Sequence, residues 1–427
     1  MDIMNIQSLA RRAGALGAMA LALTACDKLL EVDSPSRIPA ETIEDPAYAD
    51  LLVNSVVADF ECALGSYAVL GGLIGEELDD ATQTADRYPY DIRNAQPTDR
   101  RYAVNACQDL GVYAPLQTAR VTASNAARFL SGWSDAQVPD RQAKLAIVRA
   151  YEGYAILLLG EGFCSTVLST FDADGNPVYG TEITPAQAFA EAEARFTEVI
   201  DATPAPPDSV RNMALVGRAR ARLNQGNFTG ARADAALVPA AYVKLASASD
   251  DDARRRNRAW AQNSATSTAT SVGAPYRNLN DPRVPVLNTG TNGPTGIPLW
   301  RQLKYPEAES PFRLASGEEA RLIVAEAAIQ ANTPADLLTA TTIINEFRAQ
   351  GNQTQLVAPT QAELRAALID QRRRELYLEG QHLYDLIRFN LPFDPAVGTT
   401  FPGGGTYGNV RCLPLPNTER FNNPNLG

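Results

Sequence analysis

Residues 360–390 read Thr-Gln-Ala-Glu-Leu-Arg-Ala-Ala-Leu-Ile-Asp-Gln-Arg-Arg-Arg-Glu-Leu-Tyr-Leu-Glu-Gly-Gln-His-Leu-Tyr-Asp-Leu-Ile-Arg-Phe-Asn. Thr360 and Glu363 stand at N-cap and N3 spacing, where each side chain can satisfy an amide that the helix start leaves orphaned. Leu364, Leu368, Gln371, Glu375, Leu378 and Leu386 or Ile387 then follow at helical intervals. The apolar stripe is broken by Arg372, Arg373, Arg374, Glu375, Glu379 and Asp385. A solvated face is the simplest source of such a run. Glu375 and Glu379 lie four apart, however, and Arg372 and Arg388 fall on nearby faces. Charges mixed into an apolar stripe predict a packed ion-pair network, whose desolvation cost is tolerated where it fixes geometry. Gly380 predicts a close approach or a break between two helices.

The blocks Arg372-Arg373-Arg374-Glu375-Leu376, Glu379-Gly380 and Tyr384-Asp385-Leu386-x-Arg388 resemble the C-terminal signature of the SusD/RagB family. Members of that family are surface lipoproteins of outer-membrane nutrient-uptake systems. His382 and Leu383 depart from the pattern, standing where the family commonly has Arg and an aromatic residue. Three more segments extend the resemblance: 318–328, with Arg321, Ala325, Glu326 and Ala327; Ile343-Ile344-Asn345-Glu346-Phe347-Arg348; and the tail, with Pro416, Glu419 and Asn423-Pro424-Asn425-Leu426. The similarity is tight over the last hundred or so residues and looser before Ala150. It implies an all-α, SusD-like fold built on tetratricopeptide-like helix-turn-helix repeats, with a loop-rich subdomain containing few short strands.

The chain has 427 residues and a net charge of −11. That length can bury a large core, and the acidic balance argues against nucleic acid as a partner. Beyond the N-terminus no 18-residue apolar run stands out. The N-terminus reads as an export signal over residues 1–25: Arg11 and Arg12, an apolar core at 13–23, then Leu23-Thr24-Ala25-Cys26 as a lipobox. Cys26 is then the acylated first residue of the mature chain, residues 26–427, read as a single SusD-like domain. Acyl chains worth about 0.8 kcal/mol per buried methylene would hold it on a membrane. Of five cysteines, Cys62, Cys107, Cys164 and Cys412 remain, an even number in an exported chain. Three pairings are open, as are buried free thiols. Cys62–Cys107 and Cys164–Cys412 are expected, the first bracketing one N-terminal unit, the second pinning the C-terminal segment to a central helix.

Helical pattern spans 45–65 and 69–78 as two helices, then 104–133, with a polar loop at 79–101. Residues 140–240 and 316–390 carry the repeated helix pairs of the scaffold. Thr184-Pro185-Ala186-Gln187 and Ser316-Gly317-Glu318-Glu319 are capping boxes. Periodicity is lost over 242–314, the expected loop-rich subdomain, and long loops on a rigid scaffold are where binding tends to sit. The tail reads as extended.

The residues offer few catalytic groupings. His382 is the only histidine, which excludes a His-rich metal site and leaves one possible His-paired nucleophile; a hydrogen-bonded structural role is expected for it. Glu76, Glu77, Asp79 and Asp80 could ligate Ca²⁺ or form an acid/base pair, but read more simply as an exposed helix end. Asp172, Asp174 and Asn176 imitate half an EF-hand loop, yet Pro177 and Ile183 occupy positions where the motif needs Gly and Glu, so a turn is expected. No metal and no cofactor are expected. Aromatic residues in the polar segments are the better lead, because sugar C–H faces stack on rings while amides bond the hydroxyls. Tyr88, Tyr90, Asn94, Tyr276 and Trp300 are the candidate ligand residues; Trp260 is an alternative to Trp300.

The resemblance implies a non-enzymatic protein that hands a nutrient, often an oligosaccharide, to a SusC-like TonB-dependent outer-membrane transporter. Two other classes remain open: a surface glycan hydrolase using paired carboxylates, and a periplasmic tetratricopeptide scaffold for protein partners.

Overall fold

The computed structural model describes residues 44–426 apart from Asn105, Gln108, Asp109 and Ala173. The export signal and the Cys26 lipobox lie outside the described residues. Residues 46–48 form a short 3-10 turn. The described residues from 49 onward form one compact unit.

That unit begins with α1 (Ala49–Ile74), one continuous helix where the sequence predicts two. Gly71 and Gly72 do not break it. A methyl group on Gly71 would meet nothing, and Gly72 packs on Leu378 and Glu77. Two interior glycines cost roughly 1 kcal/mol each, and burial of Phe60, Leu64, Val69, Leu70 and Ile74 offsets it. α1 is apolar enough to cross a membrane by composition, but most of it is buried inside the fold. The expected loop at 79–101 instead contains β1 (Leu78–Asp80), α2 (Tyr88–Asp91) and the start of α3 (Arg100–Val104).

From α4 to α8 each helix packs on its predecessor. The series runs α4 (Tyr113–Gly132), α5 (Arg141–Gly162), α6 (Pro185–Ile200), α7 (Asp208–Asn224) and α8 (Phe228–Ala235), and α8 packs on α10 (Gly317–Ala331). Small residues permit this. A Cβ on Gly153 would lie 2.7 Å from the Phe196 ring, and one on Gly160 would lie 2.7 Å from the Phe189 ring. α10 pairs with α11 (Pro334–Gln350), and both pack on α12 (Gln361–Glu375) around Leu322, Ile344, Phe347 and Leu364. α13 (His382–Arg388) comes next, and α14 (Asn417–Asn422) gives the tail a helical turn where an extended segment is predicted.

The Thr184 and Thr360 capping boxes are complete. The third is half formed: Ser316 Oγ accepts from Glu319 N at 3.1 Å, while the Glu319 side chain turns inward toward Arg220 at 3.8 Å. Ten short strands form five antiparallel pairs among the described residues. Three pairs build the loop-rich region: β1 with β7 (Thr270–Val272), β6 (Val243–Ala246) with β10 (Phe312–Ser316), and β8 (Val286–Asn292) with β9 (Pro298–Gln302). The remaining two, β2 (Thr166–Val167) with β5 (Glu182–Ile183) and β3 (Thr170–Phe171) with β4 (Pro177–Val178), lie between α5 and α6. Disulfides join Cys62 to Cys107 and Cys164 to Cys412, the latter closing a sequence separation of 248 residues.

The charges of residues 372–388 are paired, and all but the half-buried Arg373 and Arg388 are buried. Asp385 accepts from Arg372 Nε at 2.7 Å and Nη2 at 3.0 Å, and from Arg388 Nη2 at 2.8 Å. Arg388 also pairs with Glu326 of α10. At the end of α12, Arg313 Nη1 donates to Glu375 at 2.9 Å and its Nε to Glu379 at 2.9 Å. Lys304 Nζ reaches Glu379 and the Tyr377 carbonyl, each at 2.6 Å. Arg283 and Arg374 share Asp281. Gly380, at φ +79°, fits against the Tyr67 ring, so it is both the break and the close approach.

Burial alone would raise the Asp385 carboxyl, but Arg372 and Arg388 outweigh it and hold the group down at about 2. Asp385→Ala leaves two guanidiniums buried beside an empty site. It should cost about 3–5 kcal/mol in urea unfolding; a loss below about 1 kcal/mol would mean that the pairs contribute no net stability.

Candidate functional site

The acidic residues after α1 are not an exposed helix end. Glu76, Glu77 and Asp80 are buried, and Asp79 is nearly so. Each fastens a different segment. Glu77 Oε1 accepts from Leu378 N at 2.7 Å, and Glu76 Oε1 accepts from Asp394 N at 2.5 Å. Asp79 pairs with Arg277 at 2.7 Å. Asp80 Oδ1 accepts from Thr82 and Arg87, while its amide donates to Asp91 at 2.6 Å. Burial dominates the titration of Glu76, Glu77 and Asp79. It lifts Glu77 to about 8 against the Leu378 amide, and it lifts Glu76 and Asp79 to about 7. These carboxylates act as internal fasteners, joining the end of α1 to residues 277, 378 and 394.

The segments they fasten form one loop-built region. β1 pairs with β7, and Ser271 Oγ of β7 accepts from Trp300 N at 2.9 Å and donates to the Pro298 carbonyl at 2.8 Å. Asn263 Nδ2 donates to the Trp300 carbonyl at 3.0 Å, and its neighbour Gln262 accepts from Arg87 Nη1 at 3.2 Å. The segments carrying Arg87, Tyr88 and Trp300 are thereby tied together. Tyr88 is half-buried. It sits edge-on to Phe401, 5.3 Å between centroids, and its hydroxyl donates to the Gly404 carbonyl at 2.7 Å. Ile92, Ile297, Phe401 and Tyr407 form the small apolar cluster beneath it. Gly404 and Gly405 take φ +101° and +90°, and a side chain on Gly405 would strike the Tyr88 hydroxyl.

Trp300 is half-buried on β9, directly across from the exposed Asn288 of β8. Paired residues on antiparallel strands share a face, so an indole and a carboxamide stand together, one suited to a C–H face and the other to hydroxyls. Asn94 is exposed, its side-chain oxygen accepting from Gln96 at 2.8 Å. Two candidates are corrected. Tyr90 and Tyr276 are fully buried. Tyr90 donates to Asp99 at 2.9 Å, and Tyr276 stacks on Tyr377 at 4.9 Å, so neither offers a ring face to a ligand. Trp260 is half-buried on α9 (Arg258–Gln262). Sequence reasoning missed Asn288 and the 401–407 turn, although three consecutive glycines between Phe401 and Tyr407 are a readable turn signal.

The other candidates are structural. His382 is buried edge-on to Tyr276, and burial holds its imidazole down at about 4, so it is neutral. Its visible role is packing. Asp172 Oδ1 accepts from the amides of Asp174 and Asn176, forming the exposed turn that the sequence predicts.

Residues 307–424 match the family model described as the SusD family. No curated protein matches the sequence. Among solved structures, a SusD superfamily protein from Bacteroides vulgatus ATCC 8482 is similar at 15% identity and TM-score 0.69, covering 90% of this chain and 98% of its own. A SusD homolog from Bacteroides thetaiotaomicron VPI-5482 gives 13% identity and TM-score 0.70, covering 92% and 99%. A laminarin-binding SusD-like protein gives 13% and 0.66, covering 88% and 97%. The match falls on the segment that holds the charge network, and the fold likeness spans nearly all the described residues.

A carboxyl whose folded pKa is raised stabilises the fold below its unfolded pKa and loses that contribution as pH rises through the folded value. For Glu77 the window runs from 4.5 to about 8. Glu77→Gln keeps the acceptor for Leu378 N and cannot ionise. Denaturation should find it close to wild type at pH 5 and more stable than wild type at pH 9. Equal stability differences at both pH values would show that Glu77 does not titrate in that window.

Proposed function

We propose that this chain, which belongs to the SusD/RagB family, is a surface-exposed outer-membrane lipoprotein that binds a nutrient and delivers it to a SusC-like TonB-dependent transporter. The nutrient class we favour is an oligosaccharide. Cys26 is the lipid tether, and the protein makes and breaks no bonds in its cargo. Binding falls on the loop-built region, with Trp300 as the stacking platform, Asn288 and Asn94 as hydroxyl partners and Tyr88 as the wall beside the 401–407 turn.

The observation that supports this reading most is the partly open Trp300 ring beside Asn288, on strands fixed from below by Ser271 and Asn263. A strand whose backbone is held in this way loses little main-chain freedom on binding, which favours affinity. The nearly closed surroundings of Glu76, Glu77 and Asp80 argue against the hydrolase alternative, since an acid/base pair must reach its substrate.

Titration of the purified protein with a panel of soluble oligosaccharides tests the reading. Trp300→Ala should weaken binding by about tenfold or more, the scale of losing an aromatic anchor, with the fold unchanged. Tyr88→Ala should weaken it less. A TonB-dependent channel should co-purify from outer membranes, and protease should shave the protein from intact cells. Glycan turnover, or full resistance to shaving, would contradict the proposal.

A further inference from the structure

A cleft of about 430 Å³ lies away from the loop-built region, between α4, α5, α6 and the strands that join the last two helices. Its volume is in the range of small-molecule sites. Arg120 and Glu152 line it with Ile156, Leu168, Ala190 and Arg195. Arg120 is only 3% exposed and Glu152 only 4%. A cation and an anion this deeply placed are ordinarily committed to each other or to fixed partners.

Neither is fully committed. Arg120 Nε donates to Gln117 Oε1 at 2.8 Å, and Nη2 donates to the Ser169 carbonyl at 2.5 Å. Gln117 is itself held by the Val167 carbonyl at 2.8 Å. Nη1 has no partner among the described residues, and no carboxylate there lies within 4.0 Å of the guanidinium. Glu152 Oε2 accepts from Arg149 at 2.6 Å. Its Oε1 has only Arg195 Nε at 3.6 Å, and that nitrogen makes no hydrogen bond. The cleft thus holds a fixed donor and an open acceptor above an aliphatic floor.

Its outer wall is also fixed. Gly180 approaches the Leu168 backbone so closely that a Cβ would sit 3.0 Å from it. The tail clamps this wall, with Asn423 Nδ2 on the Gly180 carbonyl at 3.0 Å and Arg420 on Glu182 at 2.9 Å.

We infer that this cleft is a second ligand site, for a single neutral, hydroxyl-rich unit such as a sugar residue or polyol. Of the five N–H donors of Arg120, Nε and one on Nη2 are taken by Gln117 and Ser169, which closes the side-on edge to a carboxylate or phosphate. Three donors remain, two at Nη1 and one at Nη2, beside the acceptor at Glu152 Oε1, whose charge repels an anion. A hydroxyl can accept from Arg120 while a second hydroxyl donates to Glu152. Ile156 and Leu168 supply contact for C–H groups. The two arginines and the two glutamates, Glu152 and Glu191, leave the lining without net charge, which also disfavours an ionic ligand.

This inference does not depend on the loop-built region binding anything. The test is ligand-observed NMR on the purified full chain with glucose, galactose, mannose and glycerol, beside galacturonate and alanine. Two rim variants, Ala190→Trp and Thr181→Trp, fill the mouth from opposite walls at exposed positions, and all proteins compared carry Trp300→Ala so that the loop-built region does not contribute. In that background at least one neutral compound should bind saturably and lose about tenfold or more of its affinity in both rim variants. Three results would overturn the inference: no neutral compound binding, neutral binding that the rim variants leave intact, or rim-sensitive binding of galacturonate or alanine alone.

Discussion

The end of α12 sets the terms for the rest of the molecule. Glu375 and Glu379 are placed by their helix and by the turn after it in an interior that excludes water, and a buried carboxylate must be neutralised or paired. The cations that pair them come from elsewhere in the chain: Arg313 on β10, Lys304 just after β9, and Arg283 just before β8. A segment with little regular structure of its own is thus held to the helices at three points. Removing a single partner leaves the others uncompensated, so the attachment is cooperative and its geometry narrowly defined. The Arg372–Asp385–Arg388–Glu326 chain extends the same logic across α12, α13 and α10.

A second set of buried carboxylates works on the opposite terms. Glu76, Glu77 and Asp79 lie just after α1, the last on β1, and burial raises all three by outweighing their bonds to the Asp394 and Leu378 amides and to Arg277. They bond distant segments and anchor the loops that frame Tyr88 and Trp300. Strongly paired charge therefore fixes the scaffold to the loop segment, and weakly paired charge fixes the loops to one another. The region proposed to bind ligand rests on both, with its exposed side chains supported by backbone bonds from Ser271 and Asn263.

Where the residues carry a period, the sequence was readable. The 360–375 helix, its capping box, the helix pairs and the internal charge network all follow from spacing plus the rule that charges within an apolar stripe need partners. The 242–314 segment was recognisable as irregular because its period vanished. That same loss hid the orientation of its side chains. Nothing local distinguishes the buried Tyr90 from the half-exposed Tyr88 two residues away, since the difference lies in Asp99 and Tyr102. Glu76, Glu77 and Asp79 read as solvated because their partners, at 394, 378 and 277, are hundreds of residues distant. Residues 45–65 and 69–78 read as two helices because local propensity cannot see residues 65–68 buried inside the fold. Asn288 became a site candidate only once the β8–β9 register set it across from Trp300.

The central claim is that buried charge pairs at the end of α12 position the loop segment on the helical scaffold. Native-state hydrogen exchange on Glu379→Gln, compared with wild type, measures this most directly, because exchange reports opening segment by segment. The account predicts faster exchange confined to β8, β9, β10 and the 303–311 connection, with the protection of α5, α6 and α7 retained. Unchanged exchange in the loop segment, or a uniform loss of protection across the whole chain, would contradict it.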